Sequence, residues 1–212
     1  LEFSVKSTGH CYNGGCMAPG SLHLDLSHLT SLAIDEDSAT ATMGPGVTFE
    51  ALYAACDGQN MLAVGGMGST VGIVGYTSGG GHGPLIRSYG LGADNLVSAR
   101  LVLANGTIAN VSAETAPDLL WALRGGGGGT WGVVVEVTIR VHRKPSNTFS
   151  LSCYYPMSIS KDPSVGIRAV SQWLSNATRA LPSEWSVFLM GTKAPLQPKA
   201  MVHYNWLTMS GF

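Results

Sequence analysis

The sequence predicts an α+β fold with mainly antiparallel strand pairing, and three of its features carry that prediction. Short apolar segments alternate with a period of two, as at Leu22, Leu24 and Leu26, the pattern of a half-buried strand. Asn105-Gly106 separates two strand-like segments and is the strongest local signal for a tight hairpin. The helical segments are few, and each has a recognisable start, at Thr48, at Pro117-Asp118 and at Asp162-Pro163.

Taken in order, residues 1–6 read as a short strand entering the loop Ser7-Thr8-Gly9-His10. Strands follow at 21–26, 32–34 and 39–43, the last two joined by the polar turn Asp35-Glu36-Asp37-Ser38. Gly44-Pro45-Gly46 breaks the pattern, and Thr48 then caps a helix that runs through Cys56 and ends at Gly58. The hairpin occupies 95–104 and 107–111. A helix from Asp118 to Arg124 stops at Gly125, and a long β-branched strand fills 133–141. Lys144-Pro145-Ser146-Asn147 marks a boundary, so a first domain is expected over 1–145 and the beginning of a second over 146–212. That second part reads as a strand at 149–155, a helix opening at Asp162-Pro163 with Ile167, Val170 and Leu174 on one face, and strands near 185–191 and 200–208.

Composition narrows the function classes. Apolar residues make up 45% and charged residues 12% of the 212 positions, so the chain can bury a core and is not of disordered composition. The formal charge is -1 and no Lys/Arg cluster exists, so no nucleic-acid partner is expected. No apolar run approaches the roughly 20 residues of a membrane helix, so no membrane association is expected. Cys11, Cys16, Cys56 and Cys153 show no CxxC spacing, and no metal site is expected. Cys11 and Cys16 bracket a short loop and could pair, but either could equally pair with Cys56 or with a cysteine outside this chain. Sequons at Asn105, Asn110 and Asn176 point to a secreted glycoprotein. The chain opens abruptly on strand-like residues, so an N-terminal part is expected to be missing.

Glycine is the compositional outlier, at 28 residues clustered over 65–92 and 125–132. Clustered glycine means unusual backbone angles or backbone laid against a ligand. Gly127-x-Gly129-x-x-Gly132 spells the dinucleotide fingerprint, but a helix precedes it and a strand follows it. A Rossmann loop needs the reverse order, because the helix N-terminus holds the pyrophosphate. An ordinary nicotinamide domain is therefore rejected, although these glycines could still offer backbone N–H groups to a phosphate. The run from Gly65 to Gly83 is rich in small and hydroxylated residues. It reads either as a cofactor surface or as a tightly packed structural turn, and the residues alone do not choose.

Several motifs then resemble one family together. These are Val5-Lys6-Ser7-Thr8-Gly9-His10, Gly44-Pro45-Gly46-Val47, Ser69-Thr70-Val71-Gly72, Ser78-Gly79-Gly80-Gly81-His82-Gly83, Arg87 through Asn95, and Asp118 through Gly125 with Thr130-Trp131-Gly132-Val133-Val134. In that order and spacing the chain resembles the berberine-bridge-enzyme-like FAD-linked oxidases. The resemblance implies a two-subdomain FAD-binding domain of the vanillyl-alcohol-oxidase type, followed by the start of an α+β substrate domain.

It also implies roles for individual residues. His10 takes the place of the histidine that bonds to the flavin 8α-methyl carbon, a task for a neutral imidazole nitrogen attacking the quinone-methide tautomer. Lys6 is the cation that would hold the charge this places on the ring. Gly68 stands where many relatives carry a second attaching cysteine, so FAD held by one covalent bond is expected. Tyr76 replaces a histidine near the flavin pyrimidine edge. Val71 matches an oxygen-gating position, where a valine resembles the oxidase pattern. Ser7, Thr8, Gly9, Ser69, Thr70, Gly72, Gly75, Gly79, Gly80, Asn95, Gly132, Val133 and Val134 complete the expected cofactor contacts. His82 reads equally as a structural turn residue or as a cofactor contact. The implied activity is hydride transfer from a carbohydrate or alcohol-type small molecule to FAD, with dioxygen as acceptor and hydrogen peroxide as product. The catalytic base is expected outside this chain, since Tyr154, Tyr155 and Tyr204 read at least as well as structural residues. Two rivals remain beside this reading: a secreted FAD-binding protein with little or no activity, and a glycan-binding β-rich protein without cofactor.

Overall fold

A computed structural model describes residues 2–146, 149–156, 163–193 and 203–211. It has the expected α+β architecture, with elements in two units, Leu1–Lys144 and Pro145–Phe212. Asn147 of the expected boundary run and Asp162 at the expected helix start lie outside the described residues.

In the first unit, β1 (Phe3–Lys6) and β2 (Leu22–Asp25) form a two-stranded sheet. They run parallel, with Phe3 opposite Leu22 and Lys6 opposite Asp25, whereas the sequence suggested antiparallel pairing. Parallel strands need a crossover of a dozen or more residues, and the 7–21 segment supplies it. The alternating leucines form the strand but not a buried face, since Leu22 is 54% exposed.

The main sheet contains β3 (Leu32–Asp35), β4 (Thr40–Met43), β6 (Leu96–Val102), β7 (Ile108–Val111) and β8 (Val133–Arg143) in the order β3-β4-β8-β6-β7. Every pairing in it is antiparallel. The hairpin closes at Asn105-Gly106, where Gly106 has φ +80 and Asn105 Oδ1 accepts the Thr107 N–H at 3.0 Å. A short strand, β5 (Met61–Ala63), pairs with the far end of β8, Met61 opposite Arg143.

Helix α1 (Phe49–Gly58) starts where Thr48 accepts the Ala51 N–H, as expected. Helix α4 (Pro117–Leu123) starts at Pro117, whose missing N–H would be unpaired there anyway. Phe49, Leu52 and Cys56 of α1 and Leu120 and Leu123 of α4 are buried with Met43, Leu101, Val137, Ile139 and Val141 of the sheet. Each such apolar side chain contributes about 1.5–3 kcal/mol on burial, so this one-sided core holds the scaffold. The 65–92 region, read from the sequence as glycine-rich loop, also contains α2 (Ile73–Ser78) and α3 (Ile86–Tyr89).

In the second unit, β9 (Phe149–Pro156), β10 (Ser186–Lys193) and β11 (His203–Gly211) form an antiparallel sheet in the order β10-β11-β9, with α5 (Pro163–Ala180) between β9 and β10. Tyr154 and Tyr155 lie on β9 and Tyr204 on β11.

Candidate functional site

The fold joins three segments that are distant in sequence. The loop after β1 carries Ser7 through His10, with Gly9 at φ +90, where a side chain would be strained. Ser7 Oγ donates to the Pro45 carbonyl. Thr8 fills the space beside Gly72, where an added Cβ would meet Thr8 Oγ1 at 2.9 Å. His10 Nε2 lies 2.9 Å from Thr70 Oγ1. Gly44-Pro45-Gly46 is seated by the Gly44 N–H on the Ser31 carbonyl and the Gly46 N–H on the Leu29 carbonyl, each at 2.9 Å.

The 68–72 loop is pinned to the start of α1. The Phe49 and Glu50 N–H groups donate to the Val71 and Ser69 carbonyls, both at 3.0 Å. Those helix N–H groups are therefore spent within the protein, and what the loop presents outward is Gly68, Ser69 and Thr70, all exposed, with Val71 half-buried. A Cβ at Gly68 would stand 3.0 Å from Val71 Cγ2, a tight approach.

Strand β5, this glycine loop and α2 follow one another in the strand–loop–helix order that the 125–132 glycines lack. Gly75 and Gly79 on α2 and its C-terminal end are exposed, and a Cβ on Gly75 or Gly80 would meet no atom within 4 Å. Tyr76 packs between Gly81 and Gly92 and meets Phe49 edge-on at 4.8 Å. Burial pushes its phenol up to about 12, so it stays protonated and can donate a hydrogen bond. Its hydroxyl is buried and has no hydrogen-bond partner among the described residues. A Cβ on Gly83 would stand 2.9 Å from that hydroxyl, and an orphaned buried donor there fits a bound group that carries acceptors, as the flavin edge does.

Lys6 Nζ donates to Asp25 Oδ2 at 2.9 Å, an ion pair that the parallel register creates. This hydrogen bond, with those from Ser27, holds the Asp25 carboxyl well below the usual carboxylate range. The charge expected to face the flavin is thus shared with an aspartate that the sequence did not single out.

Other expected contacts are placed differently. The Asn95 side chain is 2% exposed and its amide is fully used. Its Nδ2 donates to the Tyr89 and Leu91 carbonyls, at 2.9 and 2.8 Å, and its Oδ1 lies 2.9 Å from His142 Nε2. With both amide hydrogens donated, Oδ1 accepts, so His142 carries its proton on Nε2. Val134 is in the core and Val133 pairs with Val102, which leaves Gly132, at φ +155 over the Val102 carbonyl, as a backbone element. The Gly125 and Gly127 N–H groups donate to the Ser78 carbonyl, at 3.0 and 2.9 Å, and Gly126 donates to Ala122 at 3.0 Å. The Gly125 and Gly127 amides thus hold the loop to the end of α2 and the Gly126 amide holds it to α4, so these three are not open to a phosphate. Ser78 is the hub of that contact, a role that the motif containing it did not indicate.

Cys11 and Cys16 are joined in a disulfide, while Cys56 is a free thiol buried in the core and pushed up to about 11 by burial. Among the described residues no group of His, Cys, Asp and Glu could hold a metal ion. A cleft of about 570 Å³ runs along Ser38, Thr40, Tyr89, Arg140, His142 and Arg143. It includes none of the expected cofactor residues, so the candidate site is the open surface around His10, Thr70 and Gly75.

Comparison with known proteins identifies the family. A family model described as an FAD binding domain matches residues 1–112. The FAD-linked oxidoreductase pynB of Aspergillus niger is 38% identical over 142 residues, covering 67% of this chain and 26% of that protein. Among solved structures, 6-hydroxy-D-nicotine oxidase from Arthrobacter nicotinovorans superposes with a TM-score of 0.86 at 28% identity, over 100% of this chain and 44% of its own. Berberine bridge enzyme from Eschscholzia californica gives 0.79 at 30% identity, over 100% and 41%. The chain thus spans about a quarter of the length of the curated relative and less than half of the solved ones. With the motifs, the fold and these matches in agreement, the chain belongs to the FAD-binding-domain family, in the vanillyl-alcohol-oxidase-type, berberine-bridge-enzyme-like branch that its motifs resemble.

Proposed function

We propose that this chain is the FAD-binding part of a secreted oxidase that holds its flavin by a single covalent bond at His10. One observation carries the reading: the His10 ring lies against Thr70 of the exposed 68–70 loop. The expected nucleophile is thereby set beside a glycine-rich loop 60 residues away in sequence. When bound, FAD accepts a hydride from a carbohydrate or alcohol-type substrate and passes two electrons to dioxygen, giving hydrogen peroxide.

The chain's own residues bind and orient. His10 attacks as a neutral imidazole, with Lys6 close by to offset negative charge and Asp25 holding Lys6 in place. The Tyr76 hydroxyl donates to the acceptor edge of the ring. Gly75, Gly79 and Gly80 keep side chains out of its way. Gly68 offers no second nucleophile, so one bond is expected and not two. Val71 packs against the core and limits the approach of dioxygen. Secretion is supported by the Cys11–Cys16 disulfide, which needs an oxidising compartment, and by the exposure of Asn105, Asn110 and Asn176 for glycosylation.

A visible spectrum of the purified full-length protein before and after acid precipitation tests this. Flavin bands should stay with the pellet in the wild type and move to the supernatant in His10→Ala. Bands that leave the wild-type pellet would remove the His10 linkage, and a colourless protein would remove FAD altogether. Peroxide release with carbohydrate or alcohol donors separates an oxidase from an FAD-binding protein with little activity.

A further inference from the structure

His10 is exposed on a loop that carries positive-φ glycines on both sides, Gly9 at φ +90 and Gly14 at φ +71. Such a loop samples many conformations unless it is restrained, and attachment requires one ring pose held within bonding reach of the flavin. Three restraints converge on it. Upstream, Ser7 and Thr8 are seated on Pro45 and Gly72. Downstream, Cys11, bonded directly to His10 along the chain, is tied to Cys16 five positions on. Within that ring the Gly14 N–H donates to the Cys11 carbonyl at 3.3 Å, and the Cys16 N–H donates to Cys11 Sγ at 3.1 Å. On the side chain itself, Thr70 Oγ1 is 2.9 Å from Nε2.

We infer that Thr70 and the Cys11–Cys16 disulfide form a clamp that presents the His10 ring for flavin attachment, Thr70 fixing the ring and the disulfide fixing the backbone that carries it. The inference rests on the single-bond reading above. In the tautomer whose Nε2–H donates to Thr70, the lone pair sits on Nδ1, the ring nitrogen that faces no partner among the described residues. A bond forms between that nitrogen and the flavin 8α carbon. One C–H proton leaves the methyl group, and the Nε2 proton leaves the imidazole past the Thr70 oxygen. The two electrons left on the cofactor pass to dioxygen, which takes up both protons to become hydrogen peroxide. Neither clamp member reacts, so both are positioning residues. Because the disulfide is one of them, attachment is coupled to oxidative folding, and a protein folded under reducing conditions would bind FAD but link it slowly.

The test follows acid-stable flavin with time in full-length protein, alongside total bound FAD, for Thr70→Val, Thr70→Ser and the double variant Cys11→Ser/Cys16→Ser. The clamp predicts that, at saturating FAD and counted per FAD bound, the attachment rate of Thr70→Val and of the double variant falls about tenfold or more, since misorientation of a reacting group costs rate in that range. Thr70→Ser, which keeps the hydroxyl, should attach near the wild-type rate. A wild-type rate in Thr70→Val or in the double variant would overturn the clamp. Should the double variant fail to fold and bind no FAD, Thr70→Val, which leaves the disulfide intact, decides alone. Absence of acid-stable flavin from the wild type is a separate outcome, and it overturns the single-bond reading and the clamp together.

Discussion

Tyr76 offers a single-atom test of the proposed cofactor surface. Its ring is packed among Gly81, Gly92 and Phe49, yet its hydroxyl is buried without a partner among the described residues. A buried donor left unpaired costs about 1–3 kcal/mol, a cost that a bound acceptor offsets. Tyr76→Phe should therefore raise the thermal midpoint of the FAD-free protein while weakening FAD binding by about tenfold, the value of one hydrogen bond. Affinity is measured in a His10→Ala background, where the flavin exchanges. Stabilisation with unchanged affinity would take Tyr76 off the cofactor surface. His10 and Lys6 carry the same lesson in reverse, because each is recognisable from its motif, while its partner, Thr70 or Asp25, is supplied by the fold.

At the scale of elements, the glycines divide by what surrounds them. A Cβ on Gly83 would run into the Gly65 carbonyl and stand 2.9 Å from the Tyr76 hydroxyl, so the 81–83 turn and the 65–68 loop approach backbone to backbone. Gly58, at the end of α1, would meet nothing within 4 Å and has no positive φ. Gly83→Ala should cost about 1–3 kcal/mol by overpacking, whereas Gly58→Ala should gain about 0.5 kcal/mol by removing unfolded-state freedom. Urea midpoints at a constant slope measure both. Equal effects at the two sites would contradict the close approach of the 65–68 loop to the 81–83 turn.

For the whole molecule, the network that joins β8 to the 89–95 segment sets a pH dependence. His142 stacks on Tyr89 at 4.1 Å between ring centres and donates to buried Asn95. Burial, and then the neighbouring Arg140, lower its pKa from the ordinary 6.5. A group whose folded pKa is lowered stabilises the fold above its unfolded pKa and loses that contribution as pH falls through the folded value. The urea midpoint should thus drop as pH falls below the ordinary histidine value of about 6.5. In His142→Gln, which keeps a donor for Asn95 but does not titrate, the drop should shrink. An unchanged drop would place the titrating group elsewhere.

The sequence by itself determined whatever acts over a few residues. Thr48 caps α1, Asn105-Gly106 turns the hairpin, Pro117 opens α4, and the ordered motifs identify the cofactor family. Hydrogen bonds to near neighbours and local φ preferences write those features, and they are visible in any short window. Only the tertiary structure decided the rest: the parallel pairing of β1 with β2 that sets Lys6 on Asp25, the choice of Cys16 over Cys56 as partner for Cys11, and the use of the Asn95 amide inside the protein. It also set His10 against Thr70, 60 residues away. Such contacts arise where separate strands and loops come to rest when the sheet buries its apolar face against α1 and α4, and no local rule encodes that docking.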